Sequence, residues 1–155
     1  MKLPALALCL LLAACAEDGP EVVPVLTLGT GEWQFETMAA TQRVQLVAGT
    51  QGGFHVWLSM RAQGFRGERL RMQLTLRSPR APLASSDVSL AFEPNEAGEL
   101  EFVGWPAQLL EPWCAVDQPL TVEVTLSDPS RHSASASVEI VPTAPVNPFP
   151  QGCSP

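Results

Sequence analysis

The chain has 155 residues, with 16 acidic side chains against 9 basic ones, a net charge of −7 and no Tyr. An acidic balance of this kind excludes general nucleic-acid binding, which needs clustered positive charge. The length suits one domain with a real core, and 15 prolines scattered along it leave few windows for a helix.

Met1-Lys2 brings one positive charge, and Leu3 to Leu12 (LPALALCLLL) forms an apolar stretch of about ten residues. A spanning helix needs roughly 20. With the small residues that follow, the stretch reads as a secretory signal peptide over 1–14. The run Leu12-Ala13-Ala14-Cys15 resembles the lipobox of bacterial lipoproteins. The resemblance implies cleavage between Ala14 and Cys15, a diacylglyceryl group on the Cys15 sulfur, and acylation of the new amine. Two or three acyl chains anchor a soluble domain firmly, because each buried methylene contributes about 0.8 kcal/mol. Cys9 does not compete, since Leu8 before it is too bulky for the cut. Ala16 after the Cys points to the outer membrane. The expected location is thus the bacterial cell envelope, with the membrane as a partner through the lipid. Residues 15–24 form the lipidated Cys and a short tether, whose nine extended residues after Cys15 reach at most about 30 Å.

Loss of the leader leaves about 141 residues with 8 Arg, no Lys and a net charge near −8. Over 25–141 the pattern has period two. Trp33 and Phe35 alternate with Glu32, Gln34 and Glu36, and Val44 and Leu46 with Arg43 and Gln45. Phe54, Val56, Leu58 and Met60 share one face; His55, Trp57, Ser59 and Arg61 share the other. Leu70, Met72, Leu74 and Leu76 oppose Arg71, Gln73, Thr75 and Arg77. Val88–Phe92, Leu100–Phe102, Leu120–Leu126 and Ala134–Ile140 complete eight strand candidates, separated by turn-forming runs such as GTQGG, SPRAP, EPNEAG and SDPSRH. The single helix candidate is Pro106 to Leu110. The predicted fold is all-β: an antiparallel two-sheet sandwich of about 7–9 strands. Its closing pair, LTVEVTLSDPSRHSASASVEIV, resembles the last hairpin of immunoglobulin-like and fibronectin-like bacterial domains, with a turn at Asp128-Pro129. The segments LGTGEWQFE and AGTQGGFHVWLSMRAQG resemble a group of uncharacterised lipoproteins from high-GC bacteria, which implies an immunoglobulin-like sandwich on a lipid anchor and carries no catalytic residues.

With Cys9 removed and Cys15 lipidated, Cys114 and Cys153 remain, and two cysteines left in an exported protein usually pair. That disulfide would tie the Pro-rich tail, 142–155, back to the domain.

No G-x-S-x-G elbow, phosphate-cradling Gly loop, H-E-x-x-H or paired C-x-x-C is present, and no cofactor or enzymatic activity is expected. A copper site would need two His and a Cys together, whereas His55 and His132 lie far apart and the cysteines are spent on the disulfide. Asp128 and Glu123 do not cluster as in a calcium loop; Asp128 reads as a solvated turn residue. Six of the eight Arg (Arg61, Arg66, Arg69, Arg71, Arg77 and Arg80) fall between 61 and 80, with Glu68 alone against them. If 54–61 and 70–77 pair as a hairpin, His55, Trp57, Arg61, Arg71 and Arg77 share a face able to stack on sugars or grip anions. The bland alternative is that these Arg pair with Glu32, Glu36 or Glu123 as ordinary sheet neighbours. The expected function is a non-enzymatic, lipid-anchored binding or structural module for an envelope protein; the alternatives are an anionic glycan or lipopolysaccharide binder and, third, a copper or other metal protein.

Overall fold

A computed structural model describes residues 22–50, 52–81, 83–145 and Cys153. The expected signal peptide with Ala14, the expected lipidation site Cys15 and the tether up to residue 21 lie outside the described residues, as do 146–152 and 154–155 of the tail. Among the described residues eleven strands form two sheets. Sheet 1 has the order β2 (Glu36–Thr37), β1 (Val25–Thr30), β5 (Phe54–Gln63), β9 (Leu100–Leu109), β8 (Glu93–Pro94), with β4 (Val47–Ala48) also on β5. Sheet 2 runs β3 (Gln42–Gln45), β11 (Ser133–Thr143), β10 (Leu120–Ser127), β6 (Arg69–Arg77), β7 (Ala84–Ala91). All pairings are antiparallel except β3 on β11. This is the strand order of the immunoglobulin sandwich, in which one early strand divides between the two sheets. The count exceeds the expected 7–9 because β2, β4 and β8 are two residues each.

The core forms where the period-two apolar faces meet. Met60, Leu70, Met72, Leu126 and Ile140 are wholly buried, with Val56, Leu58, Phe92, Val122 and Val124 nearly so. Each such side chain contributes about 1.5–3 kcal/mol on leaving water. β5 is buried on both faces: Met60 points into the core, and Ser59 is equally inaccessible on the other side. The cover is the segment after β1, which folds over the outer face of sheet 1. Ser59 Oγ donates to Gly31 O (3.0 Å) and accepts from Gly104 N (3.1 Å). Gly104 has φ +75°, beside the register shift between Leu58 and Met60, and a Cβ there would lie 2.5 Å from Glu32 O. Glycine is the residue that permits this crossing.

Three local expectations change. The stretch around Trp33 is a bend, with Trp33 86% exposed, before the short β2. Pro106 lies inside β9, opposite Trp57, and the one helical turn, α1, falls later at Pro112–Ala115. β9 tolerates the proline because its far side is unpaired beyond β8. The last strand continues past residue 141: Pro142 is buried and sits beside Val44, and Thr143 beside Gln45. Among the described residues no helix is long and apolar enough to cross a membrane.

Candidate functional site

The hairpin expected to unite the Arg-rich face does not form. β5 pairs with β1, β4 and β9, and β6 pairs with β10 and β7, so the two strands lie in opposite sheets. Both strands carry a continuous apolar face, and stacking them across the core buries both faces at once. Their polar faces therefore point away from each other. His55, Trp57 and Arg61 belong to the outer side of sheet 1; Arg71 and Arg77 belong to that of sheet 2.

On sheet 1, His55 and Trp57 stand edge to face with ring centroids 4.3 Å apart. They line a cleft of about 320 Å³ together with Glu32, Gly49, Pro106 and Gln108. His55 is 6% exposed, and its Nε2 has no hydrogen-bond partner among the described residues. Burial pushes its pKa below the ordinary value, against the opposing charge of Glu32. Trp57 is half-buried, so it is no open stacking platform. Arg61 closes this side: Nε donates to Glu101 Oε2 at 2.6 Å, and the guanidinium carbon lies 4.1 Å from the centre of the Phe35 ring.

On sheet 2, most of the other arginines are likewise committed. Arg71 binds Asp87 through two hydrogen bonds (2.7 and 2.5 Å), which raises the Arg71 pKa and lowers that of Asp87. Arg77 pairs with Glu123 at 3.3 Å and Arg43 with Asp117 at 2.5 Å. Of the anticipated partners only Glu123 is used. Exposed pairs of this kind are screened by water and contribute little to stability. Between them the face is tiled with short hydroxyls: Ser127 lies opposite both Ser133 and Arg71, and Thr125 opposite both Ser135 and Gln73.

The turn joining β10 to β11 holds what the sequence pattern did not reveal. The Asp128 side chain is fully buried rather than solvated. It accepts from Arg66 N (2.8 Å), His132 N (3.0 Å) and the His132 ring Nδ1–H (2.8 Å). Burial alone would raise its pKa, but these donors outweigh it and hold the carboxyl at about 2. Arg131, at φ +71°, is pinned between the two residues by its N–H to Asp128 O (3.1 Å). Beside this knot a cleft of about 540 Å³ opens among Arg69, Arg71, Ser89, Ser127, Arg131 and Ser133. Arg131 was invisible to a search for clustered arginine because it stands 51 positions beyond Arg80. The one available signal was the turn itself, which returns β11 alongside β10, the strand that pairs with β6 on its other side.

Cys114 and Cys153 are joined by a disulfide, tying the tail to α1. With Glu111 they form the one grouping of three potential metal-ligand atoms among the described residues. Bonded to each other, the sulfurs offer no thiolate to an ion.

No family model, no curated protein and no solved structure matches this chain. What defines its class is the strand order: an all-β, immunoglobulin-like two-sheet sandwich.

Proposed function

We propose that this protein is a lipid-anchored binding module of the bacterial cell envelope, acting by contact rather than by catalysis. The observation that carries this reading is Leu12-Ala13-Ala14-Cys15 a short tether ahead of a sandwich whose first strand begins at Val25. The outer face of sheet 2 supports a contact role. Ser133, Ser135, Ser137, Thr121, Thr125 and Ser127 are short side chains on a regular sheet. They have little rotamer freedom to lose when a partner settles on them. The histidines support it too: the His132 ring is engaged by Asp128, and His55 is buried against Trp57 with its Nε2 lacking a hydrogen-bond partner among the described residues.

The test is the mass of the N-terminal peptide in protein recovered from envelopes, followed by crosslinking and pull-down. A chain that starts at an acylated Cys15, loses its envelope association on Cys15→Ser and recovers a reproducible partner supports the proposal. An unmodified Cys15 in the soluble fraction removes the anchor, and repeated failure to recover any partner removes the binding role.

A further inference from the structure

Most of the arginines left without an ion pair collect at one end of the sandwich. Among the described residues four arginines make no ion pair: Arg80 follows the far end of β6, whereas Arg66, Arg69 and Arg131 stand together at the near end. All three are exposed, and Arg69 and Arg131 line the 540 Å³ cleft. The sheet register brings donors to the same place. Ser133, Ser127, Arg71 and Ser89 stand side by side across four strands, with Arg69 two residues earlier on the same face of β6. Directly opposed residues in such a row hold their Cβ atoms about 4.5–5.5 Å apart. Asp128 forms part of the wall, yet its carboxylate is buried and already accepts three hydrogen bonds, so it presents little charge to the opening. The same bonds fix the backbone of Arg66 and His132 and so hold the surrounding loops in place.

Guanidinium and hydroxyl donors converging on one opening are the chemistry that grips a phosphoryl oxygen cluster. The chain enters the domain at this same end. Val25 pairs with Gln63, immediately before the connection that leads into β6. Val22, Val23 and Val25 are 64%, 75% and 51% exposed there, and a Cβ on Gly64 would meet Val22 at 3.1 Å. Exposed apolar side chains at the end that also carries Arg66, Arg69 and Arg131 match an anionic membrane surface, which attracts both, and Glu68 and Glu99 line the cleft next to Val22. We infer that the cleft of Arg69, Arg131, Ser89, Ser127 and Ser133 binds a phosphoryl group, carried on the headgroup of an anionic phospholipid at the surface from which the chain emerges. This deepens the envelope role proposed above, since it names the surface toward which the anchored domain turns.

The experiment titrates the full chain, as the cell processes it, with three soluble probes: inorganic phosphate, dihexanoyl phosphatidylglycerol and dihexanoyl phosphatidylcholine. Backbone amide shifts of Ser127, Arg131 and Ser133 report occupancy. Saturable shifts with phosphatidylglycerol and none with phosphatidylcholine are expected. The Arg69→Gln/Arg131→Gln double variant should bind at least about tenfold more weakly at an unchanged melting temperature. Arg77→Gln, farther along the same strand, should bind as the wild type does. Shifts with inorganic phosphate alone would overturn the headgroup assignment, and no shift with any probe would overturn the site. An equal loss in Arg77→Gln would also overturn it, by reducing the effect to net charge. Because the probes are free in solution, these outcomes stand whether or not Cys15 proves to be acylated.

Discussion

The Asp128 carboxylate, with no exposed surface, accepts a hydrogen bond from the His132 ring across 2.8 Å and ties together the middle of the β5–β6 connection and the β10–β11 turn. Its pKa is held at about 2, below its ordinary 3.8. A carboxyl depressed on folding contributes stability that is complete above the unfolded value and lost as pH falls through the folded one. The wild type should therefore lose stability between about pH 4 and about pH 2. Asp128→Ala should cost roughly 2–4 kcal/mol at neutral pH, because it leaves the part-buried N–H groups of Arg66 and His132 without their acceptor. It should also show a flatter acid limb. Chemical denaturation across that pH range measures both.

His55 behaves in the opposite direction to a surface histidine. Burial lowers its pKa below 6.5, so the folded protein prefers the neutral ring. Its stabilising contribution is complete above 6.5 and is lost as pH falls through the lower, folded value. Thermal melts from about pH 7.5 to about pH 5 should show a decline that His55→Leu abolishes. At neutral pH that variant should be no less stable than the wild type, since it removes an orphaned ring nitrogen.

The Cys114–Cys153 bridge spans 39 positions of sequence. Closing a loop of that length limits the unfolded chain and contributes roughly 4 kcal/mol in the chain-entropy model. Replacing both cysteines by Ser should lower stability by up to that amount. Reductant should lower the wild type's denaturation midpoint and leave the double variant's unchanged.

Gly104→Ala tests the cover over sheet 1. The added methyl meets Glu32 O at 2.5 Å, and alanine resists a φ of +75°. A loss of roughly 2–4 kcal/mol is expected. Hydrogen exchange should quicken at residues 31–35 and at Ser59 before it quickens in sheet 2.

Much of the fold could be read from alternation alone. Leu70, Met72, Leu74 and Leu76 can be buried together only on one face of a strand, and the same holds for Val122, Val124 and Leu126. The candidate site was far less legible. Alternation states which residues share a face of one strand and says nothing about which strand lies beside it. Trp57 and Arg71 seemed to be neighbours because their strands follow each other in the chain; in fact they face opposite sides of the molecule. Arg131 and Arg69 seemed unrelated and line one cleft.

By itself, then, the sequence determined the all-β class, the pairing-ready cysteines and the leader signature that frames the envelope proposal, because all three depend on composition and short-range periodicity. Tertiary structure alone decided which arginines are spent in ion pairs and which remain free. It also decided that Asp128 is buried and that a single end of the sandwich gathers Arg66, Arg69 and Arg131. The physical reason is that each of these depends on sheet membership and register. Those are set by long-range burial of apolar faces, and no local pattern encodes them.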